Sequence, residues 1–484
     1  MIKEIISDRR SLLKWAVLVF GLSGLCVYYL YLVTRTEWTV VAPEFNGMTF
    51  ASQWAHLAKG QWNVDTTVTY ELYPREGKYY IYFGILPALV RGALTVFYDI
   101  SLSIPRLNLL LAGVILAIVN ILTAVQLSLH KGSTSRYFGP LLVLLLFGSP
   151  VIYFLTPANP YHEAIMWSLA TSALFNLFFI RFAMSPMSNT MGRLIGLGFL
   201  AILPLHSRVS VGLAPFLTLG IVGTLLALRY LRKTRQDFLT FLPLLSLRKL
   251  ILVAGIWILC GSTQLLVSYE KFRDPFAGQR LGQYLYFMNK DGSPNERGKA
   301  YAKYGAWRWD NFVPMVEYYF VPQSYNFSSH WPFLVTSNTL DSYEFSEHLD
   351  NLEEHMPLTL TCPLMFFLTF CYFKNRRSKP LFDVLILSYL VPGFILLFMW
   401  AACLRYCADF LPFLTLGTFW GFYILKEKES PLLKDSRFMA CFVIVLLYSI
   451  FAVHSTCLMY LLTNQTVPDE SKLHLYNLFL KPFI

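Results

Sequence analysis

The feature that most constrains this chain is a series of apolar runs of roughly twenty residues, each nearly free of charge. About twenty helical residues cross the hydrocarbon core of a bilayer. Eleven such runs are read, at 14–34, 107–129, 139–156, 163–182, 194–206, 209–228, 250–268, 358–373, 381–403, 409–425 and 438–462. The pair 194–206 and 209–228 could instead form one re-entrant unit. Only 14% of the 484 residues are charged, whereas soluble domains carry about 25%. The expected fold class is therefore an all-α polytopic membrane protein with about eleven transmembrane helices and two large external loops.

The net charge of +11 does not point to nucleic acid. Lys and Arg gather in short clusters between the apolar runs: "KEIISDRR", "RYLRKTRQ", "KNRRSK" and "KEKE". That spacing is the signature of the positive-inside rule, which orients helices in a membrane. With the N-terminus in the cytoplasm, alternation over eleven spans puts every dense basic loop on one side. The opening basic-then-apolar stretch resembles a signal peptide, but Tyr28, Tyr29, Leu30 and Tyr31 replace the small-residue cleavage site, so it reads as a retained first helix. The eight cysteines lie almost wholly in apolar runs without CxxC or metal spacing and read as small buried hydrophobes.

The resulting division is a cytoplasmic N-terminus and first span (1–34), a first external loop with interfacial helices (35–106), and a bundle (107–268). A large external loop (269–357), a second bundle (358–462) and an external tail (463–484) follow. "FASQWAHLAKGQW" has apolar residues at helical spacing, and "FGILPALVRGALTVFYDI" reads as a second interfacial helix. "NKDGSPNERGKAYAKYGAWRW" reads as a polar surface loop.

In this topology the ionisable residues near the membrane boundary gather on the external side. Glu44, Asp65 and Glu71 lie in the first loop. His162 and Glu163 stand at the mouth of the fourth span, His206 and Arg208 in the turn between the fifth and sixth, and Arg405 and Asp409 between the ninth and tenth. Each has a plain structural alternative. Glu44, His162 and Glu163 could cap helices, Arg208 and Arg405 could meet lipid headgroups, and Asp409 could pair with Arg405 across one helical turn. Their coincidence on one face instead suggests a site. Arginine holds phosphate through two parallel bonds, and a nearby carboxylate can take a proton from an attacking hydroxyl.

The order of basic N-terminus, one span, an early acid, the "LAKGQW" helix and an aromatic-Gly-Pro stretch resembles the GT-C superfamily of polytopic glycosyltransferases. "REGKYYIYFGILPALVR", "NPYHEAIMW", "SRVSVGL", "YEKFRDPF" and "LRYCADFLPF" are similar to segments of bacterial GT-C-like membrane proteins. The size, layout and ending "FLKPFI", with Lys481 and Phe483, resemble the serotype-converting glucosyltransferases of lipopolysaccharide. The resemblance implies an enzyme of the cytoplasmic (inner) membrane with its active face outside. It would use a polyprenyl-phosphate sugar as donor and a cell-envelope glycan such as O-antigen, or a lipid-linked molecule, as acceptor.

The resemblance puts Glu44 at the position of the catalytic base. Arg208 and Arg405 would hold the donor phosphate, with Asp65, His162, Glu163, His206 and Asp409 lining the cavity. Many members of the superfamily carry two adjacent acids in the first loop, whereas "PEFNG" offers one, which fits a proton acceptor better than a metal cage. No cofactor is firmly implied, although a divalent metal is compatible with the resemblance. The alternatives from other classes are a flippase or transporter of a lipid-linked sugar, and a non-catalytic assembly subunit.

Overall fold

The computed structural model describes residues 9–99, 102–129, 137–188, 190–232, 242–276, 284–321, 325–327, 334–336, 350–351, 357–375, 380–427, 430–463 and 469–476. Lys481 and Phe483 lie outside the described residues. The helices are α1 (Arg9–Val33), α2 (Thr49–Leu57), α3 (Leu86–Leu94), α4 (Pro105–Leu129), α5 (Phe138–Phe147), α6 (Val151–Leu155), α7 (Pro160–Met184), α8 (Thr190–Leu205) and α9 (Val209–Arg232). They continue as α10 (Leu247–Phe272), α11 (Glu296–Tyr304), α12 (Phe312–Phe320), α13 (Leu358–Thr361), α14 (Pro363–Asn375), α15 (Pro380–Leu396), α16 (Leu411–Glu427), α17 (Ser436–Thr463) and α18 (Asp469–Leu475).

Every one of the eleven apolar runs falls mostly on helix. Among the described residues, five helical segments are long and apolar enough on their own to cross a membrane: Pro105–Leu127, Pro160–Met184, Val209–Leu231, Leu247–Phe272 and Ser436–Leu462. Phe138–Phe147, Thr190–Leu205 and Pro380–Leu396 are apolar but shorter, and Gly21–Val33 is the apolar C-terminal part of the 25-residue α1. Two of the expected spans are broken. The run 139–156 divides into α5 and α6 around Gly148, Ser149 and Pro150, and 358–373 divides at Cys362–Pro363. Each break comes at a proline, which cannot donate to the helical ladder. The run 381–403 leaves helix after Leu396 and ends in a short strand, Ala401–Ala402.

Strands are few and short. β1 (Tyr73–Arg75) and β2 (Lys78–Tyr80) form an antiparallel hairpin in the first loop. Its turn residues Glu76 and Gly77 have φ of 51° and 71°, the two positive values a tight hairpin turn of matching twist requires. β3 (Tyr325–Phe327) pairs antiparallel with β4 (Leu334–Thr336), and β5 (Asp350–Asn351) pairs parallel with β6 (Ala401–Ala402).

The bundle closes where small residues let backbones meet. A Cβ on Gly421 of α16 would stand 1.8 Å from the Leu368 carbonyl oxygen of α14. One on Gly417, a turn earlier, would stand 2.4 Å from Thr369 Oγ1. Two glycines four apart make one smooth helix face, which allows the close approach common in membrane bundles. Inside the bundle Asn120, Thr123, Ser149, Asn176 and Thr415 border a space of about 30 Å³, room for a water molecule and little more.

Both expected interfacial segments of the first loop are helical, as α2 and α3. They pack on each other with the Trp54 indole over Gly92, where an added Cβ would come within 2.3 Å of the ring. The stretch from Asn289 is not wholly loop, because α11 occupies its middle. Asn295 caps it by accepting from Gly298 N at 2.9 Å. Glu296 in the first turn and Lys303 in the last suit the helix dipole, and Gly305 at φ 77° ends it.

Candidate active site

Four chain segments meet at one end of the bundle. The first is the loop strand after the β1–β2 hairpin, which returns Tyr82 beside Glu71. It then crosses the turn between α8 and α9 at Gly84, where a Cβ would stand 1.9 Å from the His206 carbonyl oxygen. Leu86 N donates to that same carbonyl at 2.9 Å. Only glycine lets the loop lie so close.

The second segment is the start of α7. Asn159 caps it, accepting from His162 N at 3.0 Å, with Pro160 at the first helical position. The third is the α8–α9 turn, "HSRVS", folded back so tightly that a Cβ on Gly212 would lie 2.2 Å from Leu205 Cα. The fourth is a 3-10 helix, Leu404–Asp409, between β6 and α16.

Arg405 lies over the Tyr161 ring, 4.0 Å from its centroid. The Tyr82 hydroxyl hydrogen-bonds the Glu71 carboxylate. Glu71 and Arg405 both lie within electrostatic reach of Tyr82, Tyr161 and Tyr406, and Arg208 reaches Tyr82 and Tyr406. Burial, and next the Glu71 charge, push the Tyr82 and Tyr284 phenols well above their ordinary range. Both stay protonated donors. The hydroxyls of Tyr161 and Tyr284 are buried without a hydrogen-bond partner among the described residues. Buried donors are seldom left so in a native protein, and both phenols lie within electrostatic reach of Glu71. No guanidinium closes on Glu71 among the described residues.

Asp409 does not pair with Arg405. It takes Arg208, with Nη2 to Oδ2 at 2.7 Å and Nε to Oδ1 at 3.4 Å, and it accepts from Ser210 Oγ at 2.5 Å. The 3-10 geometry is the reason. At three residues per turn, positions four apart point about 120° from each other. Arg208 in turn lies 5.4 Å from the Tyr406 ring centroid.

The other expected site residues divide by their partners. Glu44 is buried, and its Oε1 accepts from Arg35 Nη2 and from Arg106 Nε, each at 2.5 Å. Arg106 also binds Glu37 at 2.7 Å, and Glu37 accepts from Ser471 of α18 at 2.6 Å. Glu163 is held by Arg91 through both oxygens, at 2.6 and 3.2 Å, and by Asn108 Nδ2 at 2.6 Å. Arg91 reaches on to Gly47 O at 2.8 Å, tying α3, α4 and α7 to the first loop.

Asp65 is 61% exposed and bonded to Ser52 and His56 of α2. His162 turns Nδ1 to Phe154 O at 3.3 Å and packs among Tyr153, Phe154 and Tyr460. It still feels both Arg208 and Arg405. His206 bonds Thr263 through Nε2 at 2.8 Å. Of the expected residues, Arg208, Arg405 and Asp409 therefore come together, His162 borders them, and Glu44, Glu163 and Asp65 have other attachments.

Tyr82, Tyr161, Tyr284 and Tyr406 join the cluster without having been selected from the sequence, and Glu71, placed on the external face, had been given no role. The buried partners Arg35, Arg91 and Arg106 were equally unselected. Their signal was present, since an acid buried in an apolar setting demands a cation, and "LVRGAL" and "SIPRLN" each place one arginine in an apolar segment. No three acid, His or Cys side chains gather among the described residues. Asp409 is already saturated by Arg208 and Ser210, and the remaining acid faces a guanidinium, so this donor set does not fit a divalent cation.

No family model and no curated protein matches the sequence. Among solved structures, the chain is similar to the apo crystal structure of the Archaeoglobus fulgidus oligosaccharyltransferase, at 14% identity and a TM-score of 0.50. The match covers 96% of this chain and 60% of that one, so the chain spans about three fifths of its length. ArnT from Cupriavidus metallidurans matches in the apo state at 12% identity and a TM-score of 0.43, over 98% of this chain and 78% of that one. Bound to undecaprenyl phosphate, it matches at 11% and 0.44, over 96% and 77%. The likeness to the oligosaccharyltransferase is one of fold, an all-α, multi-pass membrane architecture.

Proposed function

We propose that the chain is a membrane glycosyltransferase, moving a sugar from a polyprenyl-phosphate donor to an acceptor outside the cytoplasmic membrane, such as O-antigen or another cell-envelope glycan. The observation that carries this reading is the meeting of Glu71 with Arg405 across Tyr82 and Tyr161. Both charges act on the same two phenols, and the Tyr161 and Tyr284 hydroxyls have hydrogen bonds to give. The likeness in fold to the oligosaccharyltransferase supports the same reading.

In the proposed reaction the acceptor oxygen bonds to the anomeric carbon as the bond from that carbon to the phosphate oxygen breaks. The acceptor proton passes to Glu71. Polyprenyl phosphate leaves with the electron pair, and Arg405 meets the charge as it builds. Arg208, fixed by Asp409 and Ser210, adds positive potential through Tyr406 without leaving its partner. Attack from the side opposite the leaving group inverts the anomeric centre. The hydroxyls of Tyr161 and Tyr284 are donors for sugar or phosphate oxygens.

Glu44, expected as the base, is assigned a positioning role instead, because its side chain is buried and Arg35 and Arg106 both hold its Oε1. Residues 269–357 are assigned to acceptor recognition, and the orientation with this end outside follows the basic clusters.

The test is release of polyprenyl phosphate from a polyprenyl-phosphate hexose by the purified protein in detergent, where transport has no meaning. Acceptor-dependent release supports transfer. Silence across a panel of hexose donors, with extracted acceptor present, removes the proposal.

A further inference from the structure

At the opposite end of α7 stands a second group of charges that the proposed reaction does not use. Arg181 lies in the last turn of α7 and Arg193 in the first turn of α8. Eighteen residues separate Glu163 from Arg181, about 27 Å of helix, close to the thickness of the hydrocarbon core. Arg181 Nε donates to Gln126 Oε1 at 2.7 Å, and its guanidinium lies 5.5 Å from the Phe178 ring centroid. Arg193 Nη1 donates to the Ser185 and Arg181 carbonyls at 2.8 and 3.3 Å. Neither guanidinium has an acid as partner among the described residues.

Between these helices runs a groove of about 590 Å³. Phe178, Gly196, Phe199 and Leu200 line it, with the two arginines at the end nearer the α7–α8 connection. Phe178 and Phe199 are 42% and 58% exposed on apolar helices, so they face lipid. A Cβ on Gly196 would meet nothing within 4 Å, which makes this glycine the open floor of the groove. Water in such a groove would find few partners at hydrocarbon depth. The occupant must be apolar along the Gly196–Phe199 stretch and negative where the arginines stand. The guanidinium fork matches a phosphate, and basic pockets between membrane helices suit anionic headgroups.

We infer that the α7–α8 groove binds an anionic phospholipid, its phosphate against Arg181 and Arg193 and one acyl chain along Gly196 and Phe199. The site lies at the other end of the helix from Glu71 and does not rest on the activity proposed above.

The experiment is native mass spectrometry of the full chain in neutral detergent, titrated with phosphatidylglycerol or phosphatidylcholine of the same chains. The wild type is expected to favour phosphatidylglycerol by about tenfold or more. R181Q/R193Q is expected to lose that preference. G196L, which fills the groove without striking a neighbour, is expected to weaken both lipids by about tenfold. Millimolar glycerol 3-phosphate should not displace the lipid.

Equal binding of the two lipids by the wild type overturns the inference, as does preference kept in the double variant. Displacement by glycerol 3-phosphate would mean a free-phosphate site instead of a lipid one. Arg193 also caps carbonyls of α7, so the double variant risks misfolding. G196L then decides, and undiminished phosphatidylglycerol binding in it removes the groove.

Discussion

Glu163 and Glu71 lie at the same end of the molecule and are treated in opposite ways. Glu163 is wholly enclosed, with both oxygens taken by Arg91 and one also by Asn108. Glu71 is half-buried, its neighbours are phenols, and the nearby guanidinium lies on a tyrosine ring instead of on the acid. Glu44 belongs with Glu163, closed by Arg35 and Arg106. The contrast teaches that an acid on the right face is not yet a catalytic acid. Guanidiniums hold Glu163 through both oxygens and Glu44 through one, and so tie chain segments together, while the Glu71 carboxylate has phenols for neighbours.

The sharpest way to break this comparison is to neutralise the two first-loop acids separately. E71Q is expected to lower transfer by about 10²–10⁴-fold, or about 3–5 kcal/mol of barrier, with the melting temperature in detergent unchanged. E44Q is expected to reduce the yield of folded protein while transfer per folded molecule stays within a few-fold. A well-folded E44Q that has lost transfer, beside an active E71Q, would reverse the two roles and restore Glu44 as the base.

The closed pair should fail as structure. R91M leaves the Glu163 carboxylate buried without its cation, a change that costs about 3–5 kcal/mol where one partner of a buried pair is removed. Its melting temperature should fall far more than that of E71Q. Retained stability would mean that Asn108 and the surrounding helix ends suffice for Glu163. On the open side, R405K keeps the charge but loses the planar group that lies on Tyr161. Transfer is expected to drop by about tenfold, seen mainly in kcat if the charge develops on the leaving phosphate. An unchanged rate would remove Arg405 from the leaving-group side.

The fold was legible because hydropathy acts over twenty residues at a time, and the eleven apolar runs are mostly helix, two of them broken and one ending in a strand. What the sequence hid was local. Breaks at Pro150 and Pro363 interrupt runs that look continuous by composition, and the α11 helix rests on the single cap Asn295 in a stretch rich in turn formers. The site was legible as a face but not as a set of partners. Arg208, Arg405 and Asp409 come from elements whose order along the chain fixes which end they occupy. Their pairing depends on the 3-10 turn at Leu404–Asp409, which rotates Asp409 from Arg405 toward Arg208. Glu71 was placed on the external face, but nothing in the sequence set it above Glu44 or Asp65 as the acid of the site. Its neighbours Tyr82, Tyr161, Tyr284 and Tyr406 are scattered over more than three hundred positions and meet only in the folded chain.

Asp65 gives the smallest expected effect and tests the other side of the contrast, an acid that is neither enclosed nor part of the cluster. Its carboxylate accepts from Ser52 Oγ at 2.7 Å and lies 3.2 Å from His56 Nε2. The Ser52 hydrogen bond first, and the His56 one next, hold it below its ordinary range. A carboxyl with a depressed folded pKa contributes stability that is present above its unfolded value and lost as pH falls through the folded one. The contribution should therefore be intact at neutral pH and fade in the acid range below about 4. Because the side chain is 61% exposed, water screens the interaction, and D65N should cost less than about 1 kcal/mol. Transfer should be unchanged at neutral pH, because α2 is fixed to α3 by the Trp54–Gly92 contact and does not need Asp65 to hold the loop. A D65N variant that lost transfer while keeping its melting temperature would bring Asp65 into the reaction and erase the distinction drawn between the acids of this loop.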